Sequence, residues 1–261
     1  MKMIDAHNHL MSEPGYLDRF LRTLDELQIE QAILSGIGPL FVGFADNAAV
    51  RRAFEAHPDR ILGAVFVRPG VDDADAVTRG YEAGFRMVKI HVPKSGYDDP
   101  AYFPIWGRAQ ELGMPVLFHT GVVNTGGECP GERVSSWNMH PMRIEPITRE
   151  FPDLQILVAH LGVHWNMDAA ELARMRPNVY VDLSGEPGGW RDRADACGMD
   201  TWLWWPGAFR KVVFGTDVHA SKMARIVRED SERLERLGVD TETRRLVFAG
   251  NILNMLGKDE T

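Results

Sequence analysis

The stretch Leu154-Gln155-Ile156-Leu157-Val158-Ala159-His160-Leu161-Gly162 decides how the chain folds. Its centre, 156–159, is apolar at every position, so a strand made of it buries both faces, whereas a strand with one wet face would alternate. Strands covered on both sides belong to parallel sheets, and parallel neighbours need a long crossover, usually a helix. Seven further runs of this kind occur, at 2–6, 31–35, 61–67, 86–92, 115–119, 178–183 and 211–216. Between them lie segments with helical spacing. Residues 16–27 are apolar at Leu17, Phe20, Leu21, Leu24 and Leu27, and 221–237 repeats the pattern with charge on the other face. Fainter helical patterns fall at 47–56, 74–83, 102–112, 142–151 and 168–175; residues 201–209 are rich in tryptophan, and 241–256 closes the chain. Eight strands alternating with helices, and no Pro/Gly/Ser linker or shift of composition, predict a single α/β domain over 1–261: a (β/α)8 TIM-like barrel. The connections 120–141 and 184–200 exceed the usual limit of about 12 to 15 residues. They are predicted to be long loops after strands 5 and 7 that wall or cover a site.

Composition narrows the partners. Hydrophobic residues make up 44% and charged residues 25%, as in folded soluble domains. The net charge of −8 leaves no global basic field for nucleic acid or anionic lipid. Cys129 and Cys197 stand far apart, so neither a disulfide framework nor a zinc ribbon is implied, and a reducing, cytoplasmic setting is expected. Residues 1–10 carry Asp5, His7 and His9 where a signal peptide would be apolar, and no run of 18 apolar residues occurs. The expected partner is therefore a small molecule, with no membrane and no nucleic acid; a homodimer is the commonest assembly for such a chain.

In a barrel of this type the reacting groups project from the C-terminal ends of the strands. Here those ends read His7-Asn8-His9, His119, His160 and Gly215-Thr216-Asp217. Each residue alone has an ordinary structural explanation: a strand-end histidine can be hydrogen-bonded and partly buried, and Asp217 can cap the following helix. Four separate strand ends of this type are harder to explain by packing, because imidazoles and carboxylates are costly in a core without partners. His7 and His9 are two apart on an extended chain, point to one side and can bind one cation; His119 and Asp217 can close the shell. Other chemistries lack their residues. Gly36-Ile37-Gly38-Pro39 has neither the later glycine nor the lysine of a phosphate loop, no Gly-x-Ser-x-Gly elbow occurs, and Cys129 has no base that the sequence places beside it.

Six motifs then stand in order: Ile4-Asp5-Ala6-His7-Asn8-His9, Val88-Lys89-Ile90-His91, Phe118-His119-Thr120-Gly121, Ala159-His160-Leu161-Gly162, Phe214-Gly215-Thr216-Asp217 and Gly250-Asn251-Ile252-Leu253. Together they resemble the amidohydrolase superfamily, and within it the amidohydrolase-related group that includes aminocarboxymuconate semialdehyde decarboxylase, resorcylate decarboxylase and pyrone dicarboxylate lactonase. The resemblance covers most of the chain. It implies one divalent metal held by His7, His9, His119 and Asp217, with His160 as base or carbonyl-polarising residue. Zn²⁺ suits such a nitrogen-rich set with one carboxylate; Mn²⁺, Co²⁺ or Fe²⁺ can occupy the same shell. The implied reaction is hydrolysis, with metal-bound hydroxide attacking the carbonyl of a small-molecule amide, ester or lactone and Asp217 taking the water proton. The alternative in the same scaffold is non-oxidative decarboxylation of an unsaturated or aromatic acid.

Elsewhere in the superfamily a lysine at the end of strand four is carbamylated and bridges two metals. The resembled group is generally mononuclear, so Lys89 is expected to be an unmodified cation paired with a carboxylate, sharing the interior face with Met87 and His91. Arg68 and Lys89 are candidates for holding a substrate carboxylate, although Arg68 could instead pair with Asp72, Asp73 or Asp75. His91 and Trp165, with His140 and His164, are candidates for lining the pocket. Trp202, Trp204 and Trp205 read as core or subunit interface.

Overall fold

Eight parallel strands follow one another around a barrel in chain order: β1 (Ile4–His9), β2 (Gln31–Ser35), β3 (Ile61–Val67), β4 (Met87–Ile90), β5 (Val116–Phe118), β6 (Ile156–Val158), β7 (Val179–Asp182) and β8 (Val212–Val213). Backbone hydrogen bonds from Ala6 N to Phe214 O (3.0 Å) and from Asp217 N to His7 O (2.7 Å) carry the ring from the last strand back to the first. This computed structural model describes residues 1–38, 40–123 and 134–258; Cys129 and the middle of the 120–141 connection lie outside them. Among the described residues no helix is long and apolar enough to cross a membrane.

The two-faced burial expected of the strands is present, and it separates two cores. Ile33, Met87, Leu117, Leu157 and Val213 join Ile4, Ala6 and Ala64 in the barrel interior. Their chain neighbours Leu34, Val88, Phe118, Val158 and Val212 face the covering helices. Those helices are α1 (Tyr16–Glu26), α2 (Asn47–Ala56), α3 (Ala74–Glu82), α4 (Phe103–Glu111), α5 (Glu145–Glu150), α6 (Asn166–Met175), α7 (Trp190–Cys197), α8 (Ala220–Arg236), α9 (Thr241–Arg245) and α10 (Asn251–Met255), the last two joined by a π-turn over Leu246–Gly250.

Two segments differ from the sequence reading. The connection after β7 is not loop throughout, since α7 forms inside it; this helix has no apolar stripe and is anchored by the buried Arg191 and Ala194. Residues 201–209 form no α-helix, and 3₁₀ turns occupy Met199–Thr201 and Ala208–Lys211. There Trp204 is exposed beneath the guanidinium of Arg174 (5.5 Å), while Trp202 and Trp205 pack half-buried on the outer core.

Candidate metal centre at the barrel mouth

Strand alternation delivers part of the site directly. Residues two beyond the interior positions Met87, Leu117, Tyr180 and Val213 are Lys89, His119, Asp182 and Gly215, and Asp217 follows by the same step. His7 and His9 arrive differently. From Ile4 and Ala6 the alternation would aim Asn8 inward, but two residues of β1, Ala6 and His7, oppose the single Ile33 of β2 between the pairs Asp5↔Ala32 and Asn8↔Leu34. This bulge re-aims both histidines, a frequent device beside active sites. His160 is turned by its backbone, with φ +59°, and Asp217 has φ +47°; both lie in the left-handed region that costs non-glycine residues energy.

The β1–β8 seam is braced by Asp5. Its buried carboxylate accepts from Thr216 N (2.9 Å), Thr216 Oγ1 (2.6 Å), Asn8 Nδ2 (3.2 Å) and His7 N (3.2 Å), and burial pushes its pKa up to about 6. Gly215 passes so close that an added Cβ would lie 2.7 Å from His7 Cβ. The N-cap of α8 is His219, whose Nδ1 accepts from Ser221 N, which leaves Asp217 to the site.

The side chains converge. His9 Nε2 lies 3.3 Å and His7 Nε2 3.8 Å from Asp217 Oδ1, and the three residues offer ligand atoms within 4.8 Å of one another. His160 Nε2 lies 3.6 Å from Asp217 Oδ2 and 3.3 Å from His119 Nδ1. His119 is outside the group of three, yet its buried Nε2 has no hydrogen-bond partner among the described residues. Buried polar atoms normally have one, so this lone pair calls for a ligand. Burial pushes His7 down to about 3, aided by the charge of Lys89, and holds His9 and His119 well below the ordinary histidine value. Neutral imidazoles with one carboxylate, and an orphaned nitrogen beside them, are a donor set that fits a divalent transition metal. Burial raises Asp217 to about 7 against the pull of Lys89.

Further residues hold these. Ser35 Oγ lies 2.8 Å from His9 Nδ1, and Asp182 Oδ2 lies 2.9 Å from His7 Nδ1. Burial pushes Asp182 up, but His7, His160 and Ser184 more than reverse this and keep its carboxyl below the usual range. None of Ser35, Asp182, Ser184, Asn8 and Thr216 was a sequence candidate. Asp182 and Ser184 share the interior side of β7 with Tyr180, and that alternation was the available signal.

A cavity of ≈ 340 Å³ opens over the site, with His9, His91, His119 and Asp217 on its floor and Phe41 and Phe44 in its wall. His91 stacks between Phe41 (4.8 Å) and His119 (3.8 Å), and neither of its ring nitrogens has a hydrogen-bond partner among the described residues. A wider groove of ≈ 710 Å³ beside Tyr16, Asp46 and Arg52 has no imidazole in its lining. Lys89, Arg68 and Trp165 do not line the smaller cavity. Lys89 is fully buried behind it, brought down to about 8 by burial, and its Nζ meets His7 Nε2 at 2.8 Å where a carboxylate partner was expected. Arg68 folds back so that Nε donates to Val92 O (2.9 Å), and its backbone N donates to Asp72 Oδ2 (2.7 Å). Trp165 packs on His140 (4.6 Å), whose Nε2 lies 3.4 Å from Asp168; His164 is exposed.

A family model described as amidohydrolase matches residues 4–258. A dihydroorotase of Yersinia enterocolitica is 32% identical over 101 residues, which cover 34% of this chain and 27% of that protein. The chain thus spans about a quarter of the length of the curated relatives it matches. An uncharacterised TIM-barrel protein of Bordetella bronchiseptica superposes with a TM-score of 0.73 at 18% identity, covering 99% of this chain and 100% of that one. A 5-carboxyvanillate decarboxylase of Novosphingobium aromaticivorans, complexed with manganese and 4-hydroxy-3-methoxy-5-nitrobenzoic acid, gives 0.66 at 17% identity, covering 98% and 96%. At such identities the structural matches establish a shared barrel. The family match runs over nearly the whole chain, and with it the protein belongs to the amidohydrolases, a family of metal-dependent enzymes.

Proposed function

We propose that this enzyme hydrolyses the carbonyl group of a small-molecule amide, ester or lactone, using one divalent metal held by His7, His9, His119 and Asp217. The observation that carries the reading is the convergence of His7, His9 and Asp217 within 4.8 Å beside the buried, orphaned Nε2 of His119, under a ≈ 340 Å³ cavity lined by His9, His119 and Asp217. The metal supplies Lewis acidity and brings the pKa of water down to about 7. Zn²⁺ is the first choice for three imidazoles and one carboxylate, and Mn²⁺, Co²⁺ or Fe²⁺ suit the same donors.

The chain's own groups do the rest. Asp217, whose Oδ1 faces His9 Nε2 at 3.3 Å and His7 Nε2 at 3.8 Å, takes a proton from the attacking water and returns it to the leaving group. His160 closes on this carboxylate, its Nε2 lying 3.6 Å from Asp217 Oδ2. Phe41, Phe44 and the stacked ring of His91 exclude water and give a flat apolar wall for a small ring or chain.

The test is a metal-replete preparation offered panels of lactones, esters, amides and carboxylated aromatics in H₂¹⁸O, with acid and CO₂ both measured. Hydrolysis predicts one labelled oxygen per product acid and no CO₂. Release of CO₂ without label replaces this reading with decarboxylation, the activity named for the Novosphingobium protein.

A further inference from the structure

Asp182 and Ser184 lie outside the proposed ligand set yet touch one of its imidazoles, His7, and the neighbouring His160, and their hydrogen bonds admit one arrangement of protons. The Asp182 carboxylate can only accept. Its Oδ1 receives Ser184 Oγ (2.5 Å), Ser184 N (3.0 Å) and His160 N (2.8 Å), and its Oδ2 receives His7 Nδ1 (2.9 Å). Ser184 has thereby given its one hydroxyl proton to Asp182, so toward His160 Nδ1 (3.0 Å) its Oγ is an acceptor. The carbonyl oxygen of Ser184, 3.2 Å from the same nitrogen, is an acceptor by nature. His160 therefore carries its ring proton on Nδ1. An imidazole that carries its proton on Nδ1 keeps its lone pair on Nε2, and that lone pair accepts from His119 Nδ1 at 3.3 Å. That places the His119 proton on Nδ1 and its lone pair on Nε2, the buried atom without a partner. On the other branch His7 donates through Nδ1 to Asp182 and keeps its lone pair on Nε2, which faces Lys89 Nζ.

We propose that Asp182 and Ser184 are positioning residues that anchor a directed hydrogen-bond chain, from His119 Nδ1–H to His160 Nε2, from His160 Nδ1–H to Ser184, and from Ser184 Oγ–H to Asp182. The chain commits His119, His160 and His7 to one tautomer each and presents the Nε2 lone pairs of His119 and His7 as ligands. An imidazole in the other tautomer would point N–H at the cation, and groups that fix ligand tautomers in this way support metal affinity by about 10- to 100-fold. The consequence for metal binding rests on the hydrolase reading of the site, whereas the tautomers belong to the protein itself.

The experiment is long-range ¹H–¹⁵N correlation of the histidine rings in the metal-free, full-length protein, with resonances assigned by their loss in His7→Gln, His119→Gln and His160→Gln. All three rings are expected as Nδ1–H; any one found as Nε2–H overturns the proposal, whatever the protein's activity. Isothermal titration with Zn²⁺ or Mn²⁺ forms the second arm. Ser184→Ala is expected to weaken binding about 10- to 100-fold, and Ser184→Thr, which restores the hydroxyl, to recover it. Undiminished affinity in Ser184→Ala overturns the positioning role. Expected tautomers in a parent protein that binds neither metal would uphold the chain and remove the metal reading.

Discussion

Replacing Asp230 by Ala tests how the segment that carries Ser184 is held. Asp230 is buried on α8, where its Oδ1 accepts from Arg191 Nη2 of α7 (2.6 Å) and from Arg233 Nη1. Both arginine side chains are essentially buried, at 0% and 1% exposure. Arg233 would keep a bidentate partner in Asp195, through Nε (2.7 Å) and Nη2 (2.8 Å). Arg191 would keep only Glu229 at 3.6 Å and the Leu183 carbonyl to which its Nη1 donates. Breaking a buried pair leaves an uncompensated charge and costs about 3 to 5 kcal/mol; the partner retained by Arg233 places this case near about 3 kcal/mol. Over 261 residues, with an unfolding entropy of about 2.1 cal/mol/K each, that lowers Tm by about 5 °C. Calorimetry and urea unfolding followed by tryptophan fluorescence measure it. The double variant Arg191→Met/Asp230→Leu should recover most of the loss, because an apolar pair of similar volume carries no stranded charge. A melting point within about 1 °C of the parent for Asp230→Ala, where about 5 °C is expected, would show that the network does not compensate buried charge.

Gly215→Ala places a Cβ 2.7 Å from His7 Cβ and 3.1 Å from His7 N, so His7 must shift. A loss of about 1 to 3 kcal/mol of stability is expected, together with weaker metal binding; unchanged melting and titration curves would refute the close approach. His119→Ala should lower the metal content found by elemental analysis, and equal content in variant and parent would remove His119 from the ligands. Asp217→Asn should keep its circular dichroism and lose turnover by about 10²- to 10⁴-fold; undiminished turnover contradicts its proton-transfer role. Stripping the metal with a chelator should lower the melting point by the binding free energy, about 2.7 kcal/mol when the free ion stands at 100 times its Kd, and a metal-independent melt would contradict a bound ion.

Most of the barrel was legible because the property that builds it, burial on both faces, is local to each strand. The run 61–67 coincides with β3 and 31–35 with β2. The shorter β8, Val212–Val213, was overestimated because its pairing with β7 ends at Val213, while Phe214 and Asp217 still bond to β1. Helix α7 was missed for an equally physical reason. Its inward anchor is an arginine paired to Asp230, and a helix held by charge leaves no apolar period to find. For Arg68, at a strand end, a substrate carboxylate and an acidic partner at Asp72, Asp73 or Asp75 stood as alternatives; the chain turns at Val92 (φ +44°) so that the Val92 carbonyl meets Arg68 Nε, while the Arg68 backbone N donates to Asp72.

The site itself divides along the same line. His119 and Asp217 follow from counting by twos from Leu117 and Val213, whereas His7, His9 and His160 reach the mouth only because the count is broken. On β1 a bulge breaks it, and after β6 two successive residues, His160 and Leu161, take positive φ. Neither device has a signature in residue type, since Ala6 and Ala159 would suit an uninterrupted strand equally well. Non-glycine residues pay for such backbone with stability, so the surroundings must over-determine it. At His160 they do. Its backbone N is held by Asp182 Oδ1, its Nδ1 by Ser184 and its Nε2 by His119, and the same Asp182 holds His7. One carboxylate at the end of β7 thus stabilises the backbone departure and the ring orientation together, and its loss should disturb both His7 and His160 although it touches neither Asp217 nor the cavity.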